Sequence, residues 1–283
     1  MGIWLYWASR LVQRLSWEQI ERLGRTLGRW AYRCATRKRT ALIYNLKQAH
    51  PNQEILELAP KIFEHYGSYY LELLKINADQ KDWFIKHLEI EGKPYFDEAN
   101  ALGKGVIVVT PHMGNWDLAG CGLTSLTPNV AAVVEVLQPP SLFRWFVRTR
   151  QSLGMQIIGL DAHAGKACLK HLKNKGTLAL VSDRDILGTG LPLPFMGQIA
   201  SIPKGPAQLA LRSGAALIVG YCVRSGAGQF KGKFFPPLKL KKSNDFEDDV
   251  FFNTRAMAAQ LELAIRAHID QWCMLQEIQH GKR

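Results

Sequence analysis

The chain has 283 residues, 47% of them apolar and 21% charged, a balance that suits a folded globular protein and excludes general disorder. A mean hydropathy of −0.10, with no run of about 18 apolar residues, excludes a polytopic membrane protein. Against 24 acidic residues stand 36 basic ones, and the net charge of +12 points to phosphate-bearing partners: nucleic acid, anionic lipid or a phosphorylated carrier.

The charge is concentrated at the start. Residues 1–47 hold ten Arg or Lys and two acids, a net +8. Trp4, Trp7, Leu11 and Leu15 recur at helical spacing and predict one apolar helix face. Ser16 and Gln19 have capping-box spacing, which predicts the start of a second helix. Its apolar positions Ile20, Leu23, Leu27 and Trp30 stand apart from a basic stripe of Arg22, Arg25, Arg29 and Arg33. Trp and Leu on one face with Arg on another describe a helix lying in a membrane interface. The pattern also fits a surface helix packed on the protein's own core with its arginines solvated. Met1–Ser9 is too short for a signal peptide and lacks a basic region before it and a cleavage site after it. The expectation is that residues 1–47 form amphipathic membrane-association helices and residues 48–283 the main domain, held at the cytoplasmic face of the cell membrane as a peripheral or monotopic protein.

A helical stretch is predicted from residue 47 to about Ile76, broken at Pro51 and Pro60. Short β-branched runs follow at Val106–Thr110, Val130–Val136, Met155–Leu160, Thr177–Ser182 and Leu217–Tyr221. Between them lie helical patterns at Trp116–Leu126, Ser141–Leu153, Ala164–Asn174 and Lys204–Ser213. This alternation predicts an α/β fold, a mostly parallel central sheet flanked by helices, with the N-terminal amphipathic helices as an extension. Phe230–Leu240 reads as a late strand, at an edge because of Pro236 and Pro237. Asn253–Trp272 reads as a closing amphipathic helix. The five cysteines are scattered, without a CxxC pair, so neither a disulfide framework nor a zinc ribbon is supported.

The strongest candidate site follows the first of these strands, in Gly105-Val-Ile-Val-Val-Thr-Pro-His112-Met-Gly-Asn-Trp-Asp117. Ligands of open α/β sheets gather at the carboxyl ends of strands, and His112 sits just past one. With Gly114 making the turn and Asn115 capping a helix, Asp117 falls in the first helical turn. Its carboxylate is expected to fold back onto one imidazole nitrogen, fixing the tautomer and favouring the imidazolium. A buried histidine merely satisfied by a nearby aspartate would have the same residues.

His112-Met-Gly-Asn-Trp-Asp117 resembles the HxxxxD motif of glycerolipid acyltransferases, in the form used by the bacterial lipid A lauroyl/myristoyl acyltransferase branch. Val133-Val-Glu135-Val, Ser141-Leu-Phe-Arg-Trp-Phe, Arg150-Gln-Ser-Leu-Gly-Met, Ser182-Asp183-Arg184-Asp185, Leu193-Pro-Phe-Met-Gly197 and Pro203-Lys-Gly-Pro206 are similar to that branch as well. Glu135 and the Asp-Arg-Asp segment look nearest to its phosphatidylinositol mannoside acyltransferases. The resemblance covers roughly residues 66–272. It implies a glycerolipid-acyltransferase-like fold over 48–283 and O-acyl transfer from a thioester, acyl-CoA or acyl carrier protein, to a hydroxyl of a membrane glycolipid, a lipid A precursor or a phosphatidylinositol mannoside. No cofactor is implied beyond the donor, and the partners expected are that donor, the glycolipid and an anionic membrane surface, without nucleic acid. The catalytic pair is then His112 as general base and Asp117 as its support, with oxyanion donors sought among the backbone N–H groups of Gly114–Trp116.

Glu135, Arg150, Asp183 and Arg184 are expected to bind substrate. Glu135, at a strand end, is placed beside His112 across neighbouring strands; it could equally be an exposed strand-end acid. Arg150, and with it Arg148, offers a planar fork for phosphate, or is solvated on a helix face. Asp183-Arg184-Asp185 positions a sugar or forms a structural ion network.

Several look-alikes fail on chemistry. Gly159–Ala167 mimics a phosphate loop but has one residue too many between its glycines and Ala167 where Ser or Thr would hold magnesium. His163 and His171 lack partner ligands, so no metal is expected. Lys231, Lys233, Lys239, Lys241 and Lys242 read as a solvated strand face or a phosphate-binding run. The alternatives are a glycerolipid or lysophospholipid acyltransferase, and a non-catalytic basic protein that binds membrane or nucleic acid.

Overall fold

The computed structural model describes residues 2–49 and 54–278, with side chains from Trp7 onward except that of Ala78. Four helices come first: α1 (Gly2–Val12), α2 (Trp17–Cys34), α3 (Thr36–Ala49) and α4 (Ile55–Lys75). Ser16 caps α2 by accepting from the Gln19 N–H at 3.2 Å while the Gln19 side chain accepts from the Ser16 N–H at 2.7 Å, the expected reciprocal box. Pro60 does not break α4; it lies inside the helix, while the expected break at Pro51 falls outside the described residues.

The body is built from α5 (Lys81–Lys86), β1 (Leu88–Glu91), α6 (Lys93–Ala101), β2 (Val106–Thr110), α7 (Trp116–Leu126), β3 (Val130–Val134), α8 (Pro140–Ser152), β4 (Gln156–Gly159), α9 (Ala164–Lys173) and β5 (Thr177–Val181). A hairpin of β6 (Leu191–Phe195) and β7 (Gln198–Ile202) follows, then α10 (Gly205–Ser213), β8 (Ala216–Gly226), β9 (Gln229–Phe234) and α11 (Phe246–Ala267). Seven strands form one sheet in the order β1-β9-β8-β2-β5-β3-β4, parallel throughout except for the antiparallel β8–β9 pair. β9 is therefore not an edge, because the short strand β1 pairs with its outer side.

β2 sits at the centre, all five of its residues buried. Its side chains alternate between two cores. Ile107 and Val109 join Cys168, Leu172, Ala210, Met257 and Leu261 from α9, α10 and α11. Val106 and Val108 join Phe84, Phe96, Leu118 and Cys121 from α5, α6 and α7. α3 and α4 form a third cluster, in which Leu42, Leu46, Ile62 and Phe63 meet Cys273 and Leu275 of the segment after α11.

α2 meets α4 through small residues. A Cβ at Gly28 would collide with the Phe63 carbonyl, so only glycine allows this approach. Its large residues point the other way: Ile20 is buried, but Leu23, Leu27 and Trp30 are exposed, Trp30 at 63%. Trp7 and Leu11 of α1 are exposed as well, and the Trp4 side chain lies outside what is described.

Candidate active site

A cleft of about 1190 Å³ opens at the carboxyl ends of β2, β5 and β3, where an α/β sheet presents its loops. His112, Trp116, Asp117, Glu135, Arg150 and Arg184 line it. Apolar wall is supplied by Leu137, Phe146, Met155, Leu160 and Leu209, and cationic rim by Lys166, Lys170, Lys173, Lys204 and Arg212.

The turn from β2 into α7 is tightly specified. Gly114 takes φ +59°, and its N–H donates to the Gln271 carbonyl at 3.0 Å. The Asn115 N–H donates to the Cys222 carbonyl at 3.0 Å, and its side-chain oxygen caps α7 by accepting from the Leu118 N–H at 3.0 Å. Two of the three backbone donors expected for an oxyanion are thus already engaged. Trp116, at the first helical position, keeps an N–H that no helix carbonyl can accept.

His112 does not bond to Asp117. Its Nδ1 donates to the Asp183 carboxylate at 2.6 Å, and its backbone N–H donates to the other oxygen of that carboxylate at 2.9 Å. The Trp272 indole N–H adds a third bond to Asp183, at 2.9 Å. An ionised carboxylate only accepts, so Nδ1 carries a proton, and in a neutral ring the lone pair is then on Nε2. The Asp183 side chain has no exposure, and burial alone would raise its carboxyl. The His112 ring beside it, with the His112 and Trp272 N–H bonds, outweighs burial and holds it below the usual range.

Asp117 is buried in an ion pair with Arg150, whose Nε donates to one oxygen and Nη2 to the other at 3.3 Å. Tyr69 donates its hydroxyl to the same carboxylate at 2.6 Å and stacks on Trp116 at 4.1 Å between ring centroids. The local fold-back fails because α7 turns Asp117 toward α8 and α4. It also corrects the expectation for Arg150: its fork is closed on Asp117 rather than open to phosphate. Burial opposes the charge on Arg150, but Asp117 more than compensates and raises its pKa.

The three charged residues that follow β5 and Ser182 diverge. Asp183 turns inward to His112. Arg184 reaches into the cleft and pairs with Glu135 at 2.7 Å. Asp185 is buried and accepts from the N–H groups of Gly188 and Gly190 and the Ser201 hydroxyl. Asp183 and Arg184 therefore form no common network. Glu135 is not on a strand neighbouring β2, since β5 lies between β2 and β3. Trp272, Tyr69, Glu72 and Arg224 were not foreseen; they come from the segment after α11, from α4 and from β8, with no local signal linking them to His112.

The profile described as Bacterial lipid A biosynthesis acyltransferase matches residues 1–278. The chain belongs to that family. A phosphatidylinositol mannoside acyltransferase of Mycobacterium tuberculosis (strain ATCC 25618 / H37Rv) is 32% identical over 218 residues, 75% of this chain and 67% of the relative. One from Mycolicibacterium smegmatis is 29% identical over 214 residues, 75% of this chain and 68% of the relative. A crystal structure of the 1-acyl-sn-glycerophosphate (LPA) acyltransferase PlsC from Thermotoga maritima aligns with 86% of this chain and 98% of its own, at a TM-score of 0.40 and 14% identity. As a member of the lipid A biosynthesis acyltransferase family, the protein is an enzyme that transfers an acyl group to a lipid.

Proposed function

We propose that the protein moves a long-chain acyl group from a thioester, acyl-CoA or acyl carrier protein, to a hydroxyl of a membrane glycolipid, with His112 as general base. The observation that carries this reading is the pairing of His112, a residue lining the cleft, with Asp183: the carboxylate anchors one ring nitrogen and leaves the other for the acceptor hydroxyl. Nε2 takes the proton of the acceptor hydroxyl as its oxygen attacks the thioester carbonyl. The tetrahedral oxyanion collapses, the C–S bond breaks, and the imidazolium returns the proton to the departing thiolate. Asp183 stabilises the transient imidazolium, worth about 10²–10⁴-fold in such reactions. Asp117 acts on the site through Arg150, Tyr69 and the start of α7. Glu135 and Arg184, facing the cleft, are assigned to the acceptor. No metal or cofactor is needed for this chemistry.

The relatives' names support a glycolipid acceptor, with a phosphatidylinositol mannoside ahead of a lipid A precursor. Association with the cytoplasmic face of a membrane is supported by the exposed Trp7, Leu11, Leu23, Leu27 and Trp30 beside the arginines of α2, an arrangement suited to the headgroup region. No helix among the described residues is long and apolar enough to cross a bilayer. The test is transfer from palmitoyl-CoA to phosphatidylinositol mannoside in vesicles, read by mass spectrometry, with lipid A precursor, lysophosphatidic acid and an acyl carrier protein donor as further arms. The expected product is a glycolipid heavier by one acyl chain, absent with His112→Ala. Acylation of lysophosphatidic acid alone, or full activity of His112→Ala, overturns the reading.

A further inference from the structure

Behind the His112 turn lies a second buried ion pair, on the side away from the cleft. Glu72 of α4 and Arg224 of β8 are 5% and 7% exposed. Arg224 donates through Nε to one oxygen of Glu72 and through Nη2 to the other at 2.8 Å. Glu72 also accepts from the Asn115 Nδ2 at 2.6 Å, and Arg224 Nη2 reaches the Gly114 carbonyl at 3.4 Å. The Arg224 backbone is clasped in turn by the Gln271 side chain, at 3.0 Å to its N–H and 2.9 Å to its carbonyl.

Two features argue against a purely stabilising role. Buried ion pairs contribute little net stability compared with well-packed apolar residues, because both charges lose water. This pair is also incompletely satisfied: the Arg224 Nη1 is buried without a hydrogen-bond partner among the described residues. What the pair does is orient. By taking the Asn115 amide nitrogen, Glu72 forces the amide oxygen toward α7, where it caps the helix. Arg224 holds the carbonyl of the residue before. We propose that Glu72 and Arg224 are positioning residues for acyl transfer, fixing the Gly114–Asn115 turn and so the reach of the His112 Nε2 to the reacting hydroxyl. The inference rests on His112 being the base. Misplacing a base by about 1 Å costs about a hundredfold in rate, and such a loss is expressed in kcat.

The test uses the full chain, with hydrolysis of decanoyl-CoA in the absence of acceptor as the assay and thermal melting as the control. Glu72→Leu/Arg224→Leu removes both charges together, leaving no lone buried ion. Its kcat is expected to fall about ten- to hundredfold, with KM within about twofold and melting close to wild type. Glu72→Gln/Arg224→Gln can rebuild the bonds to Asn115 and Gly114 without charge and should recover most of the lost kcat, a discrimination that a merely structural pair would not make. Should the leucine pair fail to fold, Asn115→Ser serves instead: serine still caps α7 but cannot reach Glu72, and the same kcat loss at constant KM is expected. A folded leucine pair or Asn115→Ser with kcat within twofold of wild type overturns the proposal, as does a rise in KM in place of the kcat loss. Equal hydrolysis by wild type and His112→Ala overturns the assignment of His112 and this inference with it. A His112-dependent activity indifferent to the pair overturns this inference alone.

Discussion

Asp183 holds His112 by two atoms at once, accepting from the ring Nδ1–H at 2.6 Å and from the backbone N–H at 2.9 Å. A single carboxylate thus fixes both where the residue sits in the chain and which way its ring turns. The aspartate of the local motif, Asp117, has different partners, Arg150 and Tyr69. The two carboxylates therefore fail differently when altered.

Asp183→Asn should lower kcat about 10²–10⁴-fold with little change in KM, since it removes the charge that supports the imidazolium. Asp117→Ala strands the buried Arg150 without its counter-charge and should cost about 3–5 kcal/mol of stability. Urea titrations alongside steady-state kinetics separate the two. Unaltered kcat in folded Asp183→Asn would show that His112 does not depend on it.

Acid should weaken the fold through Asp183. Its carboxyl is held below the ordinary aspartate range in the folded protein, so its contribution is fully present above the unfolded value and disappears as the pH falls through the lower folded value. Asp183→Asn should therefore narrow the gap between melting temperatures at pH 6 and pH 3. A gap as wide as that of wild type contradicts this.

The thiols should divide sharply. Cys34 is exposed. Burial pushes the thiols of Cys121 and Cys273 up to about 12 and that of Cys168 to about 11, and raises Cys222 as well. At pH 8 the native protein should react with Ellman's reagent at Cys34 alone, and at all five cysteines in guanidinium. Rapid loss of a second thiol in the native state would mean that one of the buried sites opens.

The two faces of α2 should separate by phenotype. Leu23→Ser/Leu27→Ser/Trp30→Ser should leave melting unchanged and reduce sedimentation with anionic vesicles, an effect that high salt deepens as the arginines are screened. Gly28→Ala should do the reverse, destabilising by about 1–3 kcal/mol because its methyl group meets the Phe63 carbonyl. Equal sedimentation by the triple variant moves the membrane contact elsewhere, with Lys231–Lys242 the next candidate.

The parts of this fold that were legible in the sequence are those whose cause is local. β2 and α7 appear where Val106–Thr110 and Trp116–Leu126 place them, because an apolar β-branched run and a capped apolar helix carry their own signals. The β6–β7 hairpin was not foreseen as strands: Pro192 and Pro194 argue against a strand, yet both point outward on an isolated two-stranded ribbon that tolerates them. β1 is four residues long and gives no pattern to read. The six candidate residues do gather at one place, but their pairings were not legible. His112 and Asp183 meet because β2 and β5 run side by side in register, Thr110 opposite Val181, and strand order is a property of the whole sheet. Residue spacing favoured Asp117 only because it was near.

The Trp272 bond to Asp183 bears on how the enzyme is made. Trp272 follows Asp183 by 89 positions, and the Cys273 N–H adds a bond to the His112 carbonyl at 2.8 Å. At about 5–20 residues per second, a ribosome takes about 4–18 s to travel from the codon of Asp183 to that of Trp272. During that interval β2, β5, His112 and Asp183 are already in the nascent chain, but the indole and amide that bond to the pair are not. The surroundings of His112 are thus complete only once the chain has been made past Trp272, seconds after both members of the His112–Asp183 pair.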